Sequence, residues 1–470
     1  MNRAKEIMEY MATPSLFKQK EFSIGKIKAI MLFNPDLTDG FALRQIAQGM
    51  MDCDKKISSL NDIQKYALLA AESVISSNKD EATKGILSGD AVVVLDKIEG
   101  FLIVNARKWD KRAVAEPPTE TVMRGPREGF VEDIKTNLSL IERRLKTPAF
   151  AVERFKIGRV SSTDVAMVYV STIASPELVN LVRKKLQNID IDALIDSHYL
   201  QPLIEPHPMS IFHQTGVNEK PDILASKILE GRVGIIVDGS PMVLTVPFIL
   251  IEDFQSGEDY YERNSFASFL RILRYVSIII GVLLPGLYVA LQAFHYDVIP
   301  LRFLVTLMNA VKDIPLTPLP EVLFVMLLFE IIREASVRMP RAVGMAMSIV
   351  GALVLGDTAV KAGVISSPAV MIIALSSIAL YTVPNEVGTM SLLRIIFTVL
   401  GGLTGLYGLL VGMLIVIHEL VCLDSYGTPY LAPFAPLVTS DLKDGITRKP
   451  IFMHITRPKS IPNINSTRQK

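Results

Sequence analysis

Three stretches, residues 275–293, 365–383 and 395–417, run 19, 19 and 23 residues without a charged side chain. A helix crossing a bilayer needs about 20 mostly apolar residues, so each is long enough to span one. Nothing comparable occurs before residue 264, where charges and turn-forming residues recur throughout. The chain is therefore expected to be a water-soluble N-terminal region followed by a multi-pass bundle of membrane helices.

Composition blurs this division, because 50% hydrophobic residues averages the two halves. The net charge of +1 argues against a nucleic-acid-binding protein, which carries a basic patch or a high domain pI. The end of the chain is locally basic, with Lys443, Arg448, Lys449, Arg457, Lys459, Arg468 and Lys470 against Asp444. Such a tail is expected on the cytoplasmic side of a membrane. Cys53 and Cys422 have no CxxC or Cys/His spacing around them, so neither a disulfide framework nor a zinc site is indicated. The N-terminus carries charges throughout and lacks the apolar core of a secretory signal. The soluble region is thus expected in the cytoplasm.

Within that region a short pattern repeats. Ile86-Leu87-Ser88-Gly89-Asp90 is echoed by Ile228-Leu229-Glu230-Gly231-Arg232, and Asp96 and Asp238 each lie seven residues beyond the glycine. In both copies a helix would end at the glycine and feed two apolar strands joined by a turn. Two α/β subdomains are expected. Upstream strands are read at 26–33 and 165–170, and Ser175-Pro176-Glu177 has the order that opens a helix.

The connector at 124–146 begins with a Gly/Pro turn, Gly125-Pro126, and continues as a helix. Its Ile134, Leu138, Ile141 and Leu145 share one face, and that stripe requires a partner surface. Arg124, Arg127, Glu132, Asp133 and Asn137 are its candidate coupling residues.

In the second half, Arg263, Arg271 and Arg274 precede the first apolar run and favour a cytoplasmic start. Pro285 and Gly286 fall near the run's centre. After a proline-rich loop, residues 321–338 read as a helix whose Glu330, Arg333 and Glu334 interrupt an apolar surface. Ionisable groups at membrane depth face a protein interior or water; the alternative is a helix lying in the headgroup layer. Residues 342–356 are short for a span and rich in Ala, Gly and Ser, which suits close packing or a pore lining that includes Gly351 and is sealed by residues such as Val350 or Val354. Gly401, Gly405, Gly408 and Gly412 follow a helical spacing and mark a close helix contact. The count of spans lies between four and six. His295 and His418 are isolated, so no metal ligation is indicated. No Walker A loop, GxGxxG fingerprint, HExxH or GxSxG elbow is present, and no catalytic residue or cofactor site is assigned.

The chain resembles the A subunits of GerA-type spore germination receptors. The likeness rests on the connector RGPREGFVED with TNLSLIERR, on Gly231-Arg232-Val233 with Asp238-Gly239-Ser240-Pro241, on Asp259-Tyr260-Tyr261-Glu262-Arg263, and on Pro320-Glu321 through Gly356. A stage V sporulation paralogue shares much of this pattern. The resemblance implies a cytoplasmic two-part domain, an oligomerising membrane domain in the spore inner membrane, and a complex with a transporter-like B subunit and a lipoprotein C subunit that releases cations in response to nutrients. The expected boundaries are 1–123 and 147–264 for the α/β subdomains, 124–146 for the connector, 265–425 for the membrane domain and 426–470 for the basic tail. Two functions fit: a channel-forming subunit with Glu330 and Glu334 at a cation-attracting mouth, or a non-conducting scaffold that couples signals. A secondary transporter fits less well, since paired broken helices are not evident in the sequence.

Overall fold

The computed structural model describes residues 2–469, except 12, 26, 54, 56, 58, 69–71, 97, 108–123, 340–342, 345–350 and 352–355. The first antiparallel sheet contains β1 (Lys18–Ile24), β2 (Ile27–Phe33), β3 (Ser73–Ser76), β4 (Ala91–Leu95) and β5 (Phe101–Val104), in the order β1-β2-β4-β5-β3. The second contains β6 (Phe150–Ile157), β7 (Thr163–Val170), β8 (Gly216–Asn218), β9 (Val233–Val237) and β10 (Val243–Val246), in the order β6-β7-β9-β10-β8. Each position in one sheet has its counterpart in the other.

The repeated pattern lies at the heart of this equivalence. Helix α4 (Lys79–Leu87) feeds the hairpin β4–β5, and α8 (Pro221–Ile228) feeds β9–β10. Gly89 and Gly231 end the helices with φ of 89° and 108°, a conformation costly for any residue with a Cβ. Their amides donate to Ile86 O and Ile228 O at 3.0 and 3.1 Å. The amides of Asp96 and Asp238 each bond back to the neighbouring strand, at Lys28 and Asp164.

Side chains alternate across each strand, so each sheet has two apolar faces and needs helices on both. Ala29, Met31 and Phe33 pack under α2 (Gly40–Met51) and α3 (Leu60–Tyr66), whereas Ile30 and Leu32 face the opposite way. In β7, Val165 and Met167 pack under α6 (Pro176–Gln187) and α7 (Ser197–Ile204), while Ala166 and Val168 turn toward the first sheet's inner face. Between the sheets lies a shared helical layer of α1 (Asn2–Tyr10), α4, α5 (Ile134–Glu142) and α8. The α5 stripe of Ile134, Leu138 and Ile141, with Leu145 beyond it, is buried in this layer against residues of both sheets. Each such side chain contributes about 1.5–3 kcal/mol by burial. Helix α6 starts as Ser175-Pro176 directs, although the Ser175 hydroxyl makes no capping bond.

The second half contains α9 (Asn264–Ala293), α10 (Leu301–Val311), α11 (Pro318–Arg338), α12 (Gly356–Lys361), α13 (Ser367–Leu380) and α14 (Val387–Cys422). Two of the described helical stretches, Asn264–Ala293 and Pro384–Cys422, are long and apolar enough to cross a membrane. The uncharged run at 365–383 is not one straight span. It is capped at Ser366, ends in a turn at Tyr381, and leaves 14 helical residues, about 21 Å of helix against the roughly 30 Å of a bilayer core.

The run at 395–417 is not straight either. Gly405 has φ 67° and ψ −149°, and the chain reverses there. Beyond the reversal, a Cβ on Gly412 would meet Leu400 and Phe397. At the other end, Thr389 donates to Ile211 O at 3.0 Å and Ser210 donates to Glu419 at 2.9 Å, so both arms of α14 return to one loop. The arms are 387–404 and 406–422, about 27 and 25 Å long at 1.5 Å per residue. The tip rests on Phe294 and His295, just past α9, and Gly401 packs directly on Gly286. The four glycines therefore do not form a stripe along one helix: Gly401 meets α9, Gly405 makes the reversal, and Gly408 and Gly412 lie on the returning arm.

The conformation of Gly405 is nearly exclusive to glycine and costs other residues of order 1–3 kcal/mol, and a Cβ there would lie 2.7 Å from the His295 ring. Gly405→Ala is expected to lower the thermal stability of the detergent-solubilised full-length protein, whereas Gly388→Ala, where a Cβ meets open space, is expected to leave it within error. Equal melting temperatures for the two variants would contradict the reversal.

Candidate coupling site between the N-terminal module and the membrane helices

The segment leading into α9 forms two short 3-10 turns, Leu250–Phe254 and Gly257–Tyr260. Ser256 and Asp259 form a capping box around the second, which fixes the Asp259 carboxylate in the interior. Asp259 Oδ2 accepts from Arg271 Nε and Arg274 Nη1, both at 2.9 Å, and Oδ1 accepts from Arg274 Nη2 at 3.0 Å. Arg271 is fully buried and also donates to Asp444 at 2.8 Å. The Tyr260 hydroxyl donates to the other oxygen of Asp444 at 2.8 Å, and its ring lies between the guanidiniums of Arg271 and Arg448 at 5.6 and 5.4 Å. Burial, then Asp444, push the Tyr260 phenol well above its ordinary range, so it remains a donor. Arg448 donates to the carbonyls of Glu262 and Tyr260. Three distant parts of the chain meet here: the exit from the second sheet, the first turns of α9, and the C-terminal segment.

That segment folds against the module. Arg457 donates to Leu229 O at 2.6 Å, Ala174 bridges Asn463, and Ile461 shares a small core with Ile249, Ile251 and Ala432. The returning arm of α14 is fastened beside it, through His207 to Asp424 at 3.0 Å and the amide of Phe248 to Ser425 at 2.9 Å.

The connector reaches the same junction. Arg124 pairs with Glu262 at 3.1 Å, and a Cβ on Gly125, whose φ is 120°, would strike the Tyr261 ring at 2.7 Å. Exposed Arg127 lies in the same stretch. The carbonyl of Glu132 accepts from Gly239, and Asp238 accepts from the Ile134 amide. Asp133 caps α5: burial would raise its carboxyl, but the bonds from Thr136 hold it below its ordinary value. Asn137 is fully buried and closes a two-way bond with the Val131 backbone. At the other end of α5, Glu142 accepts from Asn34 at 2.9 Å while its second oxygen has no partner. Burial, then Asp36, push its carboxyl up to about 8. Asp253 is raised well above the usual carboxylate range by burial, then by Glu386 and Glu252.

Within the helical half, Arg394 is buried between helices. It donates to Glu330 at 2.8 Å and to Ser377 at 2.9 Å, while Arg333 takes the second Glu330 oxygen at 2.5 Å and reaches Ser391 at 3.0 Å. Glu330 is thus held by two arginines of its own chain. Glu334 is exposed and paired with Arg338. Gly351 lies against Ile332 of α11, whereas Val350 and Val354 fall outside the described residues. Arg394 escaped the sequence reading because it stands just before an uncharged run; its signal was a single charge between two apolar segments. In the sequence Arg271 marks only topology, and Asp444 is only the exception in a basic tail.

An α/β module is joined by buried ion pairs to a helical half with two stretches long and apolar enough to cross a membrane. The Bacillus/Clostridium GerA spore germination protein family matches residues 5–460, and the chain belongs to that family. It is 38% identical to spore germination protein KA of Bacillus subtilis (strain 168) over 83% of this chain and 72% of that protein. It is 34% identical to the uncharacterized membrane protein YfkQ of the same organism over 94% of this chain and 87% of that protein. The crystal structure of the N-terminal domain of the A subunit of the Bacillus megaterium spore germinant receptor GerK3 is 28% identical, with a TM-score of 0.40, covering 52% of this chain and 91% of that one.

Removing Asp259 would leave Arg271 and Arg274 without their shared carboxylate, and breaking a buried pair costs about 3–5 kcal/mol. Asp259→Ala is therefore expected to reduce full-length protein recovered from membranes far more than Arg124→Ala, whose pair with Glu262 is solvent-exposed and worth about 0–1 kcal/mol. Immunoblotting of membrane fractions checks the order.

Glu142 gives a pH signature. With its pKa raised on folding, the native state holds a proton that the unfolded chain has released between about 4.5 and 8. Its contribution to stability is present below that window and falls as pH rises through it, by a few kcal/mol in order of magnitude. Glu142→Gln is expected to flatten the pH dependence of chemical denaturation across the window and to stabilise the protein at pH 8.

Proposed function

We propose that the chain is the A-type membrane subunit of a spore germination receptor in the spore inner membrane, with its α/β module in the cytoplasm. In this reading several copies assemble with a transporter-like B subunit and a lipoprotein C subunit and release monovalent cations when nutrient is sensed. Membership of the spore germination family supports the setting. The observation that carries the conducting role is the charged row on α11. Glu330, Arg333, Glu334 and Arg338 interrupt an otherwise apolar helix, and Glu334 and Arg338 remain exposed. Charges at that depth are costly against lipid, so they call for a neighbouring subunit or an aqueous path. The candidate lining is Glu330, Glu334, Val350, Gly351 and Val354, with carboxylates drawing cations and the valines closing the path.

A second reading is a non-conducting scaffold that couples the module to its partners. The Arg394–Glu330–Arg333 network favours it, because a carboxylate held by two guanidiniums of its own chain serves helix packing directly.

Potassium flux from liposomes carrying the purified protein separates the two. The conducting reading expects Val354→Ala and Val350→Ala vesicles to leak without nutrient, and Glu330→Gln to reduce flux while the amount of assembled protein is unchanged. The scaffold reading expects tight vesicles for all three variants and a loss of folded protein for Glu330→Gln.

A further inference from the structure

Two apolar tips, one in the N-terminal and one in the C-terminal part of the protein, are left uncovered. The first is the 3-10 turn Ile451–Met453, where Ile451 and Phe452 are 65% and 68% exposed. The second is Met209, 95% exposed in the loop before β8. The first is tied to the start of α9, which is long and apolar enough to cross a bilayer, and the second to the end of the returning arm of α14. Four residues before Phe452, the Arg448 amide donates to Ser268 Oγ at 2.9 Å, about one turn inside the start of α9. One residue after Met209, Ser210 donates to Glu419 at 2.9 Å, about one turn from the end of α14. Around Ser268 the outward face of α9 is already apolar, with Phe266 and Phe269 exposed, so the lipid-facing surface of that helix begins at this level. Exposed Lys449 and Arg263 add positive charge beside the first tip and the start of α9.

We propose that Met209 and the turn Ile451–Met453 insert into the headgroup and acyl boundary of an anionic bilayer, with Lys449 and Arg263 on the lipid phosphates. The module is then held down at two points, one beside α9 and one beside α14. The physical basis is that apolar side chains next to basic ones bind at the boundary through buried apolar area plus attraction to anionic lipid. The turn Ile451–Met453 continues the apolar face of α9, and Met209 adjoins the end of the returning arm of α14, where Ile417 and Val421 are also exposed, which selects the bilayer over a second protein as their cover. The inference rests on the reading that α9 crosses the membrane.

The test uses the full-length protein in nanodiscs containing phosphatidylglycerol, with Trp109, its only tryptophan, replaced by Phe. Single probes are introduced as Phe452→Trp, Met209→Trp, Val276→Trp on the exposed face of α9, and Phe41→Trp on the first subdomain. Lipids brominated near the top of the acyl chain are expected to quench the Phe452→Trp and Met209→Trp probes and to leave Phe41→Trp unchanged. Lys449→Glu is expected to weaken the quenching of Phe452→Trp. Quenching of Val276→Trp with none at Phe452→Trp or Met209→Trp overturns the tips while sparing the membrane reading. Loss of quenching at Val276→Trp as well overturns that reading and the inference with it. A blue-shifted Phe452→Trp emission that is indifferent to brominated lipid assigns the surface to another protein chain and overturns the inference.

Discussion

The junction between the module and α9 is organised around one buried carboxylate. Asp259 is held by a local capping box and in turn holds Arg271 and Arg274. The charge on Arg271 forces a second carboxylate, Asp444, into the same place, because a guanidinium removed from water must find partners for its donors. Asp444 then draws the C-terminal segment across α9, and Arg448 fastens it one turn further on. Two residues at opposite ends of the second half are thereby brought onto the same helix.

The exit from the second sheet is tied to α9 through Asp259 and to the end of the returning arm of α14 through His207, Phe248 and Ser425. The connector adds a third tie, from Arg124 and Gly125 to Glu262 and Tyr261. Helix α5 sits between the two sheets and shares one core with both. Buried ion pairs contribute modestly to net stability but are specific in geometry, which suits a joint whose task is to keep several elements in register.

The helical half uses charge in the same way. Arg394, Glu330 and Arg333 bind α11, α13 and the outgoing arm of α14 together, with Ser376 and Ser377 accepting from Arg394 Nη1. Close packing works beside it: Gly286 and Gly401 let α9 and α14 approach backbone to backbone, and Glu321 accepts the Ser366 amide at the start of α13.

Much of this was readable in local patterns. The glycine-terminated helix and hairpin, found twice, announced two similar subdomains, because a helix C-cap and an alternating strand are decided within a few residues. The stripe of Ile134, Leu138, Ile141 and Leu145 stated that α5 is buried, and two of the three uncharged runs fall in helical stretches long and apolar enough to cross a membrane. What covers the stripe, the partners of Arg271 and Arg394, and the reversal at Gly405 were decided only by tertiary structure. Asp444 is 173 residues from Arg271, and no sequence spacing expresses such a pairing. Glycines at helical spacing describe a smooth face on a straight helix equally well as a hinge between two arms. The choice between them is made by His295, Phe397 and Leu400, which pack on the folded-back chain and are invisible to a pattern read along it.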